Sequence, residues 1–151
     1  MIKANVILEN KNWRKHIKSP SDYIKRKFNK LSKIKDFNIN KEFSILLTDN
    51  KKIKLLNNKF RKKNKPTDIL SFPFFNKKNL KKNLKHNKFY LGDIAISDRE
   101  FLKKNKSDLK NSFIKIFIHG FLHLLNFDHK SDKDYEIMNS VENKIFQKIK
   151  G

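Results

Sequence analysis

The 151-residue chain contains no cysteine, which removes disulfides and thiolate metal sites from consideration. Glycine and proline number three each, so collagen-like and Gly/Pro-rich low-complexity chains are excluded, and no repeat, Gly/Ser linker or acidic tail is visible. No apolar run approaches the ~20 residues that a spanning helix needs. The opening MIKANVILEN lacks the charged-then-apolar layout of a secretory signal. The expectation is therefore a protein without a membrane partner in a reducing, cytoplasmic compartment. At this length, a single domain over residues 1–151 with a core of its own is the natural reading.

Acidic residues are also scarce. Lys plus Arg total 37 against 15 Asp plus Glu, for a net charge of +22, and only four of the 37 are Arg. Lys, Asn, Ile and Phe share A/T-rich codons, so base composition accounts for part of the excess. It does not account for its distribution. Residues 51–88 hold 14 basic residues against one acid, Asp68, whereas residues 119–151 hold five of each sign. A one-signed segment steers polyanions at long range. The plain alternative is a solvated Lys-rich face.

Hydrophobic periodicity and turn chemistry outline the elements. Strands are expected at residues 2–8, 43–47, 69–75 and 89–97, with Gly92 marking a bulge or a close backbone approach. Helices are expected at 10–17, at 19–34 behind Ser19-Pro20, after Thr48-Asp49, at 107–125, and from Ser131, where Asp134 three residues on suggests a capping box. Residues 76–88 read as a loop or a helical excursion with only Leu80 and Leu84 apolar. The helix at 107–125 is apolar almost all round and should be buried on both sides. Helices and strands mix without strict alternation, which gives an α+β fold with a small mixed sheet of about four strands.

Three of the five histidines fall within residues 119–129. His119 and His123 are four apart on the apolar helix, hence on one face, one turn apart. Asn126 suits the left-handed backbone of a helix end, so the chain can double back and bring His129 to the same point. Three neutral imidazoles describe a borderline-soft divalent site with an open fourth position, where bound water reaches a pKa near ~7. Without an ion, three imidazoles on so apolar a helix would need other partners. A zinc peptidase needs a Glu directly after its first histidine, and here that place is Gly120. Asp128 is open to three roles: orienting a histidine, acting as a base, or capping the turn.

These blocks together resemble a known family. HGFLHLLNFDH at residues 119–129 is similar to the H-G-x-L-H-L-x-G-Y-D-H signature of the YbeY family of rRNA-maturation endoribonucleases. NNKFRKKNKPTDILSFP at 57–73 resembles that family's N-x-x-[FY]-R…P-T-D-V-L-S-F-P block, and LGDI at 91–94 its L-G-D-I strand; Met138 and Glu142 fit as well. The resemblance implies an α+β fold and a zinc-type ion on His119, His123 and His129. It further implies a family arginine at Arg61, and single-strand-specific, metal-dependent RNase activity in ribosomal RNA processing and ribosome quality control. Two departures stand out: Asn126 replaces the family's Gly, and Phe127 replaces its Tyr.

The expected function is thus a metal-dependent endoribonuclease acting on rRNA precursor of the small subunit, at the 16S 3′ end, with no DNA partner. His119, His123 and His129 are the expected Zn²⁺ ligands, and Arg61 with His119 and His123 the catalytic groups. Lys59, Arg61, Lys62, Lys63 and Lys65 are the expected RNA contacts. Arg61 is the only Arg among eight basic residues in 51–65, and its planar fork suits bidentate phosphate binding. His16 and His86, in Lys-rich stretches, read as solvated, and Asp68 as a turn acid. The alternatives are a non-catalytic ribosome-associated factor with a structural metal and, further off, a zinc peptidase. Oligomeric state stays open.

Overall fold

The computed structural model describes residues 1–83 and 89–151. Four strands form one sheet: β1 (Ile2–Leu8), β2 (Lys41–Thr48), β3 (Ile69–Pro73) and β4 (Tyr90–Ser97), in the order β1-β2-β4-β3. β1, β2 and β4 run parallel, and β3 lies antiparallel to β4 on the edge. Among the described residues there are also six α-helices: α1 (Pro20–Leu31), α2 (Asn50–Arg61), α3 (Lys77–Asn83), α4 (Asp98–Lys104), α5 (Leu109–Leu124) and α6 (Asp132–Ile149). The mixed α+β architecture is the one expected. Leu84 and His86 lie outside the described residues.

Alternation explains the sheet. Phe43, Ile45 and Leu47 of β2 are fully buried on one face, while Leu46 turns to the other. A slip of one residue would exchange the two sets, so the pleat itself fixes the register. The larger core lies between the first face and α1, α5 and α6. There Phe28 meets Phe43 at 4.7 Å and Phe121 at 5.1 Å between ring centroids, and Phe113 joins Trp13 at 5.3 Å. α2 covers the second face with Ile53 and Leu56 against Leu46, Leu70 and Ala95.

Caps follow the chemistry of the sequence. Asp49 accepts from Lys52 N–H at 2.9 Å to start α2, and Ser131 accepts from Asp134 N–H at 3.1 Å to start α6. Ser19 is the N-cap of α1 but makes no side-chain bond there, and Pro20 supplies the preset φ of the first turn. Gly92 sits at the expected irregularity: its φ is +135°, and a Cβ there would lie 2.2 Å from the Phe72 carbonyl oxygen.

Three local expectations differ. The segment expected helical at 10–17 is a single 3-10 turn, Lys11–Lys15, anchored by Trp13, whose indole N–H donates to the Thr48 carbonyl at 3.1 Å. α4 follows β4 directly and was not expected, because seven residues with Phe101 as their one fully buried apolar side chain show no helical period. α5 is central rather than enclosed throughout: Lys115 reaches the surface and lays its ammonium 4.7 Å from the Phe146 ring.

Candidate metal centre and basic cleft

α5 carries His119 and His123 on one face because they are one turn apart. The helix then ends in a Schellman-type turn, in which Asn126 N–H donates to the His123 carbonyl at 2.9 Å and Phe127 N–H to the Leu122 carbonyl at 3.0 Å. Asn126 takes the left-handed conformation (φ 65°) as expected. Its side-chain amide also donates to the Phe75 carbonyl at 2.8 Å, a tie that a glycine could not make. The reversal delivers His129 back to the helix, with ring centroids 5.2 Å from His123 and 5.8 Å from His119. Among the described residues this is the one group of three such side chains whose ligand atoms all lie within 4.8 Å of each other.

Hydrogen bonding decides which nitrogens face inward. The Phe127 carbonyl lies 2.9 Å from His123 Nδ1 and can only accept, so that nitrogen carries the proton. Glu142 Oε1, reaching from α6, sits 2.5 Å from His119 Nδ1 and imposes the same tautomer. With both rings neutral, each presents a bare lone pair on Nε2, and the two Nε2 atoms are only 3.1 Å apart. Two lone pairs at that distance repel unless a cation lies between them. Nitrogens each ~2.0–2.1 Å from a tetrahedral ion stand about 3.3 Å apart, so the donor set fits one divalent ion. Burial, then the neighbouring His119, holds the His123 pKa below its ordinary value and favours the neutral, ligating form.

The other local acids are not free bases. Asp128 accepts from the His129 backbone N–H at 2.7 Å and faces Lys130 at 3.7 Å, and the backbone bond holds its pKa below the usual carboxylate range. Of its three open roles, the structure shows the turn cap. Gly120 lies where α5 crosses the sheet. A Cβ there would stand 2.8 Å from Ile69 Cδ1 and 3.1 Å from two Ile94 carbons, so any side chain in place of Gly120 would have to displace Ile69 and crowd Ile94.

The histidines line a cleft of about 790 Å³ together with a set of basic side chains. Arg61, at the last turn of α2, donates from Nη2 to the Ser71 carbonyl on β3 at 2.8 Å, and Ser71 Oγ in turn donates to the Gly120 carbonyl at 3.4 Å. Lys63 and Lys65 share the cleft with Arg61, and buried Asn57 holds their loop by donating to the Lys65 carbonyl at 2.8 Å. Lys59 and Lys62 stand off its wall: Lys62 is the left-handed cap of α2, and the Lys59 ammonium lies 5.2 Å from the Phe60 ring. Asp68 pairs with Lys104 at 3.3 Å beside the turn, as a turn acid would.

Sequence reasoning did not single out Lys104 and Lys130, which complete the basic rim, or the role of Glu142. Lys130 belongs to the electrically balanced C-terminal segment, so segment charge points away from it. Glu142 left two signals, its fit to the family pattern and its place one turn after Met138 on the stripe that continues to Ile145.

The sequence profile described as Endoribonuclease YbeY matches residues 7–150. The chain belongs to the YbeY family. Among its relatives is the endoribonuclease YbeY of Pelagibacter ubique, 46% identical, with 99% of this chain and 97% of that protein covered. That of Ehrlichia canis is 38% identical over 99% of this chain and 93% of that protein. The solution structure of a Thermotoga maritima protein aligns with 99% of this chain and 89% of its own at a TM-score of 0.55 and 21% identity, and shows the shared fold. Among the described residues of this YbeY-family chain, no helix is long and apolar enough to cross a membrane.

Proposed function

We propose that this YbeY-family chain is a single-domain, metal-dependent endoribonuclease that cuts single-stranded RNA during maturation of the 16S rRNA 3′ end, and that it works in the cytoplasm on small-subunit precursors and in ribosome quality control. The observation that carries this reading is the meeting in one cleft of two inward Nε2 lone pairs 3.1 Å apart with Arg61, Lys63 and Lys65. The names of the relatives, endoribonuclease YbeY, supply the reaction class.

His119, His123 and His129 would hold the ion, with Zn²⁺ the expected species for a three-imidazole set. When bound, the ion supplies Lewis acidity and an acidified water. The chain's own groups do the rest. Glu142 and the Phe127 carbonyl hold the two rings in the ligating tautomer. Arg61 spends one N–H on Ser71, which aims the guanidinium, and keeps four donors for a phosphate oxygen on which charge grows. Lys63, Lys65, Lys104 and Lys130 neutralise flanking phosphates, with Lys59 and Lys62 further along the same basic face. Binding should lose ~0.7 in log K per phosphate neutralised for each tenfold rise in salt.

The test is cleavage of single-stranded and duplex RNA of one sequence by highly purified protein, before chelation, after chelation and after metal return, beside His123→Ala. Cleavage of the single strand that chelation abolishes, metal restores and the variant lacks is the expected result. Equal cutting by the variant would assign the activity to a contaminant. A 2′,3′-cyclic phosphate on the product would identify the RNA's own hydroxyl as nucleophile, and a 5′-phosphate with a free 3′-hydroxyl would identify water.

A further inference from the structure

β3 separates two surfaces. Ser71 and Pro73 line the cleft, whereas Phe72 between them turns to the opposite face, toward α2. The end of α2 grips the strand from both sides: Arg61 bonds the Ser71 carbonyl on the cleft side, and Phe60 sets its ring edge-on against Phe72 at 5.2 Å. Phe74 follows cleft-lining Pro73 and leans edge-on against Phe75 at 4.8 Å and Tyr90 at 6.4 Å.

Two of these rings have no packing duty that needs their faces covered. Phe60 is 56% exposed and Phe74 68% exposed, and among the described aromatic side chains only Tyr135, on α6, is comparably open at 59%. Exposed aromatic surface grouped along one edge marks a contact site. The setting is cationic on the near side, where the Lys59 ammonium lies 5.2 Å from the Phe60 ring and Arg61, Lys62 and Lys63 follow at the end of α2. Beyond Phe74 lie Tyr90, whose hydroxyl donates to Asp93, and the ion pair of Glu42 with Lys3 at 3.7 Å.

We propose that Phe60 and Phe74 form a ledge, on the α2 side of β3, on which bases of a single-stranded RNA stack once the strand has left the cleft. Aromatic faces accept any unpaired base, and a lysine-rich border follows the backbone between them. In a duplex the base faces are already stacked, so the ledge gives a physical source for single-strand preference. The proposal rests on the RNA-cleaving reading and adds to it residues outside the cleft, where Arg61 and the histidines handle phosphate.

The experiment measures dissociation constants of the full chain for a labelled uridine oligoribonucleotide and for an oligomer of equal length with abasic riboses. It uses wild type, Phe60→Ala, Phe74→Ala and Phe74→Trp, each checked for an unchanged circular dichroism spectrum and melt. Wild type should prefer the base-bearing strand. Each alanine variant should bind it roughly 5- to 20-fold more weakly, at the low end of base–aromatic stacking for open sites, with abasic binding unchanged. Phe74→Trp should match or exceed wild type.

Alanine variants that bind the uridine strand like wild type overturn the ledge, as does equal loss on both strands, which marks a general or structural effect. Wild type that binds the two strands equally also overturns it while leaving RNA cleavage intact. Wild type that binds neither strand and cuts no RNA removes the functional reading itself.

Discussion

The histidine centre and the basic rim line one cleft but are built in different ways. The centre is short-range: eleven consecutive residues, one helical face and one reversal place three imidazoles together. The rim is assembled from the end of α2, the loop after it, α4 and the turn before α6. The difference follows from the forces involved. Metal coordination tolerates errors of about 0.2 Å, so its groups must be fixed by local backbone geometry. Coulombic attraction extends over about 8–10 Å in physiological salt, so lysines anywhere on the wall serve. The centre should therefore fail abruptly on substitution, and the rim should fail by degrees.

Removing a coordinating ring tests the abrupt side. His123→Ala should cut the rate of RNA cleavage by roughly 10³-fold or more, since several kcal/mol of charge stabilisation depends on the ion. Residual cleavage within tenfold of wild type would place the chemistry elsewhere. Arg61 lies between the two regimes, because its fork is geometric and its charge is not. Arg61→Ala should cost about 10²-fold in single-turnover cleavage, and Arg61→Lys should recover only part of it. Full rescue by Lys would reduce Arg61 to a member of the rim.

One layer out, Glu142→Gln should weaken metal affinity by about 10- to 100-fold, read by competition with a chromogenic chelator, because His119 Nδ1 loses its carboxylate partner. Rim substitutions should be smaller still. Lys63→Ala with Lys65→Ala should lower RNA affinity several-fold and flatten the slope of log K against log salt by about 0.7 per lost contact. The same pair of changes at Lys133 and Lys148, off the cleft, should leave the slope unchanged. A comparable loss there would mean that net charge, and not the cleft, binds RNA.

The smallest effect is one of pH on the metal-free protein. Burial holds His123 below the ordinary 6.5, so over that interval the unfolded chain binds a proton that the folded chain does not. Stability from this group is fully present above 6.5, falls as pH drops below it, and stops changing below the lowered folded value. Thermal melts between pH 8 and 5 should show the decline, and His123→Gln should lessen it.

Much of the centre could be read in advance because its rules are local. The i, i+4 spacing of His119 and His123, the left-handed Asn126 and the Ser131 cap are each written within a few residues. The alternation of β2 was equally plain. The misses share one cause. α4 is too short to show a period, and the 3-10 turn at Lys11–Lys15 owes its place to Trp13 reaching Thr48 across the fold. Segment charge favoured 51–65 over 130–150, yet Lys130 lies on the cleft because the turn that returns His129 carries its neighbour with it.

Composition and spacing alone thus settled the absence of thiolate chemistry, the mixed fold class and the identity of the three converging imidazoles. All of these depend on residue type and on geometry within a helical turn. Folding in three dimensions determined which lysines share a cleft with the histidines, that Glu142 meets His119, that Gly120 lies where α5 presses on the sheet, and that Phe60 and Phe74 stand exposed. Those facts join residues far apart in the chain, and only packing of one element on another brings such residues within reach.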